Sequence, residues 1–261
     1  MANVARGPQW DRPNVAETEH YRVASDLPKD KVQHYAQHLE AVRPYYAEML
    51  GRTASTVEKS SVLIFDTEEG YHLYGEISAG DRFEDTLGLY SPQYSQLMLY
   101  EDADLEETLG TLYHEGFHQY FHCFGWGGPI WINEGMAEYV SGVLVKDGKL
   151  LKTGLVLKGR LLNLKAALQY GWEPVPFSRI MNESQIEFYG QDPSLRYAQA
   201  WSMVHYFIHG SGGKYRRVLV EYVSRLVDGA TGDEAYAATF GKEDVEAMER
   251  EWRKYVDALK P

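Results

Sequence analysis

Three histidines and one glutamate lie close together in the segment "TLYHEGFHQYFH" at residues 111–122. His114 and His118 are four residues apart, so on a helix their imidazoles project from one face. Two imidazoles placed in this way can share one zinc ion, and Glu115 can reach a water on that ion rather than the ion itself. The H-E-x-x-H pattern therefore predicts metal-assisted hydrolysis, and its alternative is an ordinary exposed helix face.

The third histidine of the segment, His122, does not fit the same ion. At a rise of about 1.5 Å per residue it lies roughly 12 Å along the axis from His114, whereas zinc–nitrogen bonds are about 2 Å long. The longer pattern H-E-x-x-H-x-x-G-x-x-H is also excluded, because its Gly and His positions hold Phe121 and Phe124. We expect His122 to be a helix-end residue or a packing residue near the site.

A further ligand is available in the following segment, "PIWINEGMAEYVSG" at residues 129–142. Glu134 and Glu138 are four residues apart and share a helix face, so Glu134 could bind zinc while Glu138 accepts a hydrogen bond from a zinc-binding histidine. The alternative is a solvated acidic face. The neighbouring residues are mostly apolar, however, and a buried carboxylate needs a partner.

"HEGFH" followed by "WINEGMAEY" resembles the gluzincin zinc metallopeptidases, a group that includes thermolysin and the zinc aminopeptidases. The resemblance implies that His114, His118 and Glu134 are the ligands of one Zn²⁺ ion. It also implies that Glu115 is the general base on the zinc-bound water and that Glu138 is the hydrogen-bond partner of His114. The loop between His118 and Glu134 is shorter than in the aminopeptidases.

The segment "RYAQAWSMVHYF" at residues 196–207 is similar to an aminopeptidase segment whose tyrosine stabilises the tetrahedral oxyanion. The resemblance assigns this role to Tyr197. The alternative is that Tyr197 belongs to an apolar helix stripe and only packs. His205 is a second candidate for the oxyanion role, because thermolysin-like enzymes use a histidine there.

The substrate-binding strand is expected upstream of the zinc helix. The hairpin at 87–100 takes the place of the gluzincin edge strand, which binds an extended peptide by strand addition, and we assign that edge to Gly88, Leu89 and Tyr90. The G-x-M-E-N stretch with which aminopeptidases recognise a free amino terminus does not occur between 80 and 105. The sequence therefore favours an endopeptidase over an aminopeptidase with unusual recognition of the N-terminus. A non-catalytic zinc-containing peptide-binding domain and a metal-free helical scaffold remain as alternatives.

The elements that position these residues follow from hydrophobic spacing and helix-end signals. Strands are predicted over 21–27 and 61–66 and a hairpin over 87–100, with Pro92 in its turn. Helices are predicted over 29–50, kinked or stopped near Pro44, and then over 104–123, 132–145, 192–210, 215–229 and 242–259. The glycine-rich stretch 125–129 separates two of these helices.

This order predicts an α+β fold with a small N-terminal mixed sheet and a mostly helical C-terminal lobe. By resemblance, the core is thermolysin-like and the zinc site lies in a cleft between the two parts. We expect one catalytic domain over 1–261, with sublobes at about 20–125 and 126–261.

Composition limits the partners. The net charge of −12 argues against nucleic acid and anionic membranes, and the single cysteine, Cys123, argues against an internal disulfide. A peptide or protein substrate is expected, while the oligomeric state is not indicated. No apolar run is long enough to span a membrane, and the N-terminal 20 residues lack a signal-peptide core. We therefore expect a soluble chain, cytoplasmic as written and exported if a signal peptide was removed.

Overall fold

The computed structural model describes residues 8, 10–55, 58–84, 86–125, 128–190 and 192–261. Parts of the N-terminal segment and of the glycine-rich turn at 125–129 lie outside these residues. The chain divides into two compact units. Unit 1 comprises Met1–Tyr46, Ala54–Cys123 and Leu144–Lys152, and unit 2 comprises Ala47–Thr53, Phe124–Val143 and Thr153–Pro261.

Unit 1 is built on a mixed sheet with the strand order β1-β2-β3-β5-β4. The pairs β2/β3 and β3/β5 are parallel, whereas β1/β2 and β4/β5 are antiparallel. Its elements in chain order are β1 (Asn14–Glu17), β2 (Tyr21–Ser25), α1 (Lys29–Leu50), β3 (Ser60–Phe65), α2 (Glu68–Ala79), β4 (Gly88–Ser91), β5 (Gln96–Tyr100) and α3 (Leu105–His122). The last residues of α1 belong to unit 2. The predicted hairpin is confirmed as β4 and β5.

Both faces of this sheet are buried, because residues along its central strands alternate between two apolar clusters. Val62 and Ile64 of β3 pack in a cluster with residues of α1 and with Leu112 of α3. Leu63 and Phe65 point to the opposite face, where they pack with residues of α2. The sheet therefore lies between α1 and α3 on one side and α2 on the other.

Helix α1 spans the predicted residues and continues through Pro44, so of the kink and the stop predicted at this proline the stop is excluded. A proline inside a helix removes one backbone hydrogen bond. The turns after it are nevertheless held by burial, since Tyr45, Tyr46 and Leu50 are all at most 5% exposed. The helix ends instead before Gly51, which has a φ of 64°.

Unit 2 is mostly helical. Its helices are α4 (Ile130–Ser141), α5 (Lys158–Gln169), α6 (Phe177–Ile180), α7 (Gln185–Gly190), α8 (Pro193–His209), α9 (Arg216–Val227), α10 (Gly232–Ala238) and α11 (Val245–Ala258). Helix α8 is almost entirely buried and packs closely on α4. Gly135 permits this approach, because a Cβ atom there would lie 2.8 Å from the backbone oxygen of Ala200. The α+β class, with a small sheet followed by a mostly helical C-terminal part, is confirmed.

The helix predicted over 132–145 is shorter and is followed by a hairpin. α4 ends at Ser141, and the next strands are β6 (Leu144–Lys146) and β7 (Lys149–Lys152). Gly142 leaves the helical conformation at ψ 63°, and its carbonyl accepts a hydrogen bond from the N–H of Leu155. Within the described residues, no helix combines the length and apolar character needed to cross a membrane.

Candidate active site

Helix α3 begins at a capped position and is fixed by its buried face. The Asp104 side chain accepts a hydrogen bond from the N–H of Glu106, which satisfies one of the free donors at the helix start. Farther along, Gly116 lies against Leu39 and Tyr46 of α1. The Tyr46 hydroxyl donates to the carbonyl oxygen of Tyr113 at 2.7 Å. These contacts fix the rotation of α3, so that its histidines lie on the remaining face.

His114 and His118 are brought together as the sequence predicted. Their Nε2 atoms are 3.0 Å apart and their ring centroids 4.8 Å apart. Two ligands of a tetrahedral zinc ion at about 2.0–2.1 Å from it would be separated by about 3.3 Å. The donor set and the short separation of the two nitrogen atoms therefore fit a zinc ion. Both rings are only partly exposed.

Glu115 completes a cluster with these histidines. One ligand atom from each of His114, Glu115 and His118 can be chosen so that all three lie within 4.8 Å of one another. Glu115 Oε1 lies 4.0 Å from the Nε2 atom of His114, and Oε2 accepts a hydrogen bond of 2.7 Å from the backbone N–H of Tyr90. The carboxylate is therefore fixed by the edge strand and directed at the histidine pair.

Strand β4 is an edge strand of the sheet, as the position of Gly88, Leu89 and Tyr90 in the hairpin predicted. Leu87 turns its carbonyl toward β5, where it accepts from the N–H of Tyr100, whereas the N–H of Tyr90 points away to Glu115. Because backbone groups alternate along a strand, Gly88 shares the outward direction of Tyr90. Gly88 is also a packing residue, since a Cβ atom there would lie 2.9 Å from Thr111 Cγ2 of α3.

His122 is the last residue of α3 and lies outside the cluster of His114, Glu115 and His118. Its Nδ1 atom is hydrogen-bonded to the hydroxyl of Tyr90 at 2.6 Å. Burial raises the pKa of Tyr90 to about 12, so the hydroxyl stays protonated at neutral pH. Tyr90 thus contacts α3 at two points, through its backbone and through its ring. No residue pattern around Tyr90 indicates this role.

In unit 2, Glu134 lies on the buried face of α4 and is 4% exposed. Its Oε1 atom accepts a hydrogen bond of 2.7 Å from the hydroxyl of Tyr189 on α7. Carboxylate oxygens are common zinc ligands. Buried carboxylates in proteins are paired or bind a metal ion, so the burial of Glu134 is compatible with cation binding. The apolar setting that the sequence indicated for Glu134 is confirmed by the complete burial of Trp131 and Ile132.

Glu138 lies one turn farther along α4, is 5% exposed and pairs with Arg160 of α5. The guanidinium donates through Nε at 2.8 Å and through Nη2 at 2.6 Å, so each carboxylate oxygen accepts one hydrogen bond. The central carbon of the Arg160 guanidinium lies 5.3 Å from the ring centroid of Tyr197. Arg160 therefore brings Glu138 and Tyr197 together. Sequence reasoning missed this residue, because a lone arginine on a helix has no distinguishing spacing.

His205 belongs to a different group of side chains on α8. It is 4% exposed, its Nδ1 atom is hydrogen-bonded to the Tyr255 hydroxyl at 2.6 Å, and its ring lies 4.6 Å from that of His209. Burial and the neighbouring His209 lower the pKa of His205 to about 4. The ring is therefore neutral at physiological pH. In the structure His205 is a buried packing residue, and its predicted role as an alternative oxyanion donor stays a prediction.

A family model supports the peptidase interpretation. The model described as the Peptidase MA superfamily matches residues 108–258, which is more than half of the 261 residues. The matched range begins on α3, ends on α11 and contains both histidines of the cluster. The search of the curated proteins finds no match to this chain. The family match indicates a metallopeptidase-like domain that acts on a peptide or protein. This chain belongs to the Peptidase MA superfamily.

Proposed function

We propose that this protein is a zinc-dependent endopeptidase. One observation carries the proposal: the imidazoles of His114 and His118 lie side by side, and the carboxylate beside them is hydrogen-bonded to the edge strand β4. A pair of metal-binding nitrogens, a base and a strand edge are three parts that peptide hydrolysis needs. Membership in the Peptidase MA superfamily supports the same reaction class.

The residues proposed to hold the metal are His114, His118 and Glu134. Two imidazoles and one carboxylate form a ligand set of catalytic zinc sites, in which one position stays open. When bound there, zinc polarises the substrate carbonyl and makes water a stronger acid. Glu138 is proposed to accept a hydrogen bond from His114, and its pairing with Arg160 holds the carboxylate in one orientation for that purpose.

Glu115 is proposed as the general base. It takes a proton from the attacking water and passes it to the nitrogen of the leaving amine. The hydrogen bond from the Tyr90 N–H to Oε2 supports this role, because it stabilises the ionised carboxylate and holds it in one orientation. The 4.0 Å between Oε1 and His114 Nε2 gives that oxygen access to a water near the histidine pair.

Tyr197 is proposed to stabilise the oxyanion through its hydroxyl. Removing one such donor typically costs about 10²–10³ in kcat. The guanidinium of Arg160 over its ring supports the role, since a cation near a tyrosine ring both orients the ring and makes the hydroxyl a better donor. His205 stays the alternative donor.

Strand β4 is proposed to bind the substrate as an additional strand. Gly88 directs its backbone N–H and C=O outward, and Tyr90 directs its C=O outward while its N–H donates to Glu115, so an extended peptide can pair with this edge through Gly88 and the Tyr90 carbonyl. Such pairing needs no free amino terminus, and this is why an endopeptidase is proposed rather than an aminopeptidase.

The experiment compares the parent with Glu115→Gln. We expect both proteins to bind one zinc ion by metal analysis, and we expect the variant to lose cleavage of casein and of an internally quenched peptide. Glu107→Gln is the matched control, because it makes the same change on an exposed position of the same helix. Unchanged cleavage by Glu115→Gln would show that the proposed mechanism is wrong.

A second measurement separates the alternatives. An endopeptidase cleaves an N-acetylated peptide, an aminopeptidase does not, and chelation of zinc abolishes cleavage in either case. A parent that binds zinc and holds peptides without cleaving them would identify a zinc-containing binding domain instead. A parent that binds no zinc would support the alternative of a metal-free helical scaffold.

A further inference from the structure

The hydroxyl of Tyr189 reaches the carboxylate of Glu134. Tyr189 lies on α7, is 40% exposed and donates from its hydroxyl to Glu134 Oε1 at 2.7 Å. Glu134 is almost fully buried on α4, so this hydrogen bond joins a surface tyrosine to an interior acid. Neither the spacing of Tyr189 nor the gluzincin resemblance assigns it a function.

A helix cap and a buried aromatic contact fix the position of α7 and therefore of Tyr189. Its start is capped reciprocally, since the Glu187 carboxylate accepts from the N–H of Ser184, and the Ser184 hydroxyl accepts from the N–H of Glu187. Phe188 is completely buried and packs edge-on against Tyr197 of α8, with ring centroids 5.8 Å apart. Tyr189 follows directly after this anchor, and its ring centroid lies 6.2 Å from that of Tyr197.

The hydrogen bond from Tyr189 to Oε1 restricts the rotation of the Glu134 carboxylate. A glutamate side chain loses considerable rotamer freedom when it binds a metal ion. A tyrosine that already holds the carboxylate reduces this loss before the ion arrives.

We propose that Tyr189 is a positioning residue that presents Glu134 to the metal. The inference rests on the proposed function, because it takes Glu134 as a zinc ligand. Its physical content is that zinc affinity, rather than the chemical step, depends on the hydroxyl of Tyr189. Partners of this kind typically contribute about 10- to 100-fold to metal affinity.

The test measures zinc affinity by competition with a coloured chelator, for the full chain and for four variants. Tyr189→Phe removes only the hydroxyl, Tyr170→Phe is the matched control at an 88% exposed tyrosine, and Glu134→Ala removes the acceptor. The fourth variant combines Glu134→Ala with Tyr189→Phe. Thermal unfolding of the metal-free proteins is followed in parallel, so that a change in stability is seen separately.

We expect Tyr189→Phe to bind zinc about 10- to 100-fold more weakly, while Tyr170→Phe is unchanged. In the Glu134→Ala background, the second substitution should weaken binding by less than about threefold, because the acceptor is gone. At saturating zinc, kcat of Tyr189→Phe should stay within about threefold of the parent.

Two affinity results and one kinetic result would overturn the inference while leaving the proposed function intact. One is a parent and a Tyr189→Phe variant with the same zinc affinity. The other is an equal loss of affinity with and without the Glu134 carboxylate, which would mean that Tyr189 acts through general packing. A kcat loss of 100-fold at unchanged zinc affinity would also refute it and would assign the hydroxyl to the substrate. A parent that binds no zinc overturns the proposed function itself.

Discussion

The substitution Tyr90→Pro removes the backbone N–H that donates a hydrogen bond from the edge strand to the proposed base, Glu115. The N–H of Tyr90 donates to Glu115 Oε2 at 2.7 Å and points away from β5, so its loss breaks no hydrogen bond of the sheet. Proline is tolerated on an edge strand whose N–H faces outward. Leu89 before it is already extended, which is the conformation that a following proline favours.

The magnitude follows from the type of hydrogen bond. A bond to a charged group contributes about 1.5–3 kcal/mol. If the whole of this amount is lost from the orientation of Glu115 in the transition state, kcat/KM falls by about 10- to 150-fold. Tyr90→Pro also removes the phenol that bonds to His122, and Tyr90→Ala removes that phenol while keeping the N–H. The comparison between the two variants therefore isolates the backbone donor.

The assay is cleavage of an internally quenched, N-acetylated peptide at saturating zinc, with zinc content and thermal unfolding measured on the same samples. We expect kcat/KM of Tyr90→Pro to be about 10- to 150-fold below that of Tyr90→Ala, with equal zinc content. Equal kcat/KM for two folded, zinc-loaded variants would refute the reasoning that this N–H orients the base.

Two further predictions concern stability. Gly135→Ala should lower the melting temperature by several degrees, because its methyl group would lie 2.8 Å from the Ala200 oxygen and overpacking costs about 1–3 kcal/mol. Gly110→Ala, whose methyl group meets no described atom within 4 Å, should raise it, and the opposite order in thermal unfolding would contradict the packing argument. For His205, the folded pKa of about 4 lies below the ordinary value of 6.5, so the unfolded chain binds the proton first and stability falls as pH drops from about 6.5 to 4. His205→Asn, which keeps a polar atom for Tyr255, should flatten this loss in urea unfolding between pH 7 and 4.5, and an equally steep loss would show that His205 is not its source.

Local signals in the sequence predicted the elements whose ends and faces are marked by nearby residues. Helix α3 and the hairpin of β4 and β5 belong to this group, because Asp104, Pro92 and the apolar spacing lie within the elements themselves. The hairpin of β6 and β7 carried an equally local signal that was missed. Asp147 and Gly148 both have positive φ, at 50° and 67°, and such a dipeptide is typical of a two-residue hairpin turn.

Other features depend on residues that are distant in sequence. Gly142 follows the last residue of α4, and the N–H that donates to its carbonyl belongs to Leu155, thirteen residues later. The sequence likewise predicts Glu138 as a buried acid that needs a partner. It does not name Arg160 as that partner, because the pair forms only when α5 packs beside α4. The spacing of residues along the sequence therefore predicts the chemistry of the site. The residues that hold the site residues in position, such as Arg160, are defined only by the tertiary structure.

The donors of the three proposed functional carboxylates illustrate this division and also distinguish their roles. Glu115 accepts from a backbone N–H 25 residues away, and Glu134 accepts from a tyrosine hydroxyl 55 residues away. Both donors are neutral, so each of these hydrogen bonds orients its carboxylate without placing a positive charge beside it. Glu138 instead accepts from the guanidinium of Arg160, which balances its charge. A base and a metal ligand act through their negative charge, whereas a residue that orients a histidine can also pair with a cation, so these three hydrogen bonds agree with the proposed assignments.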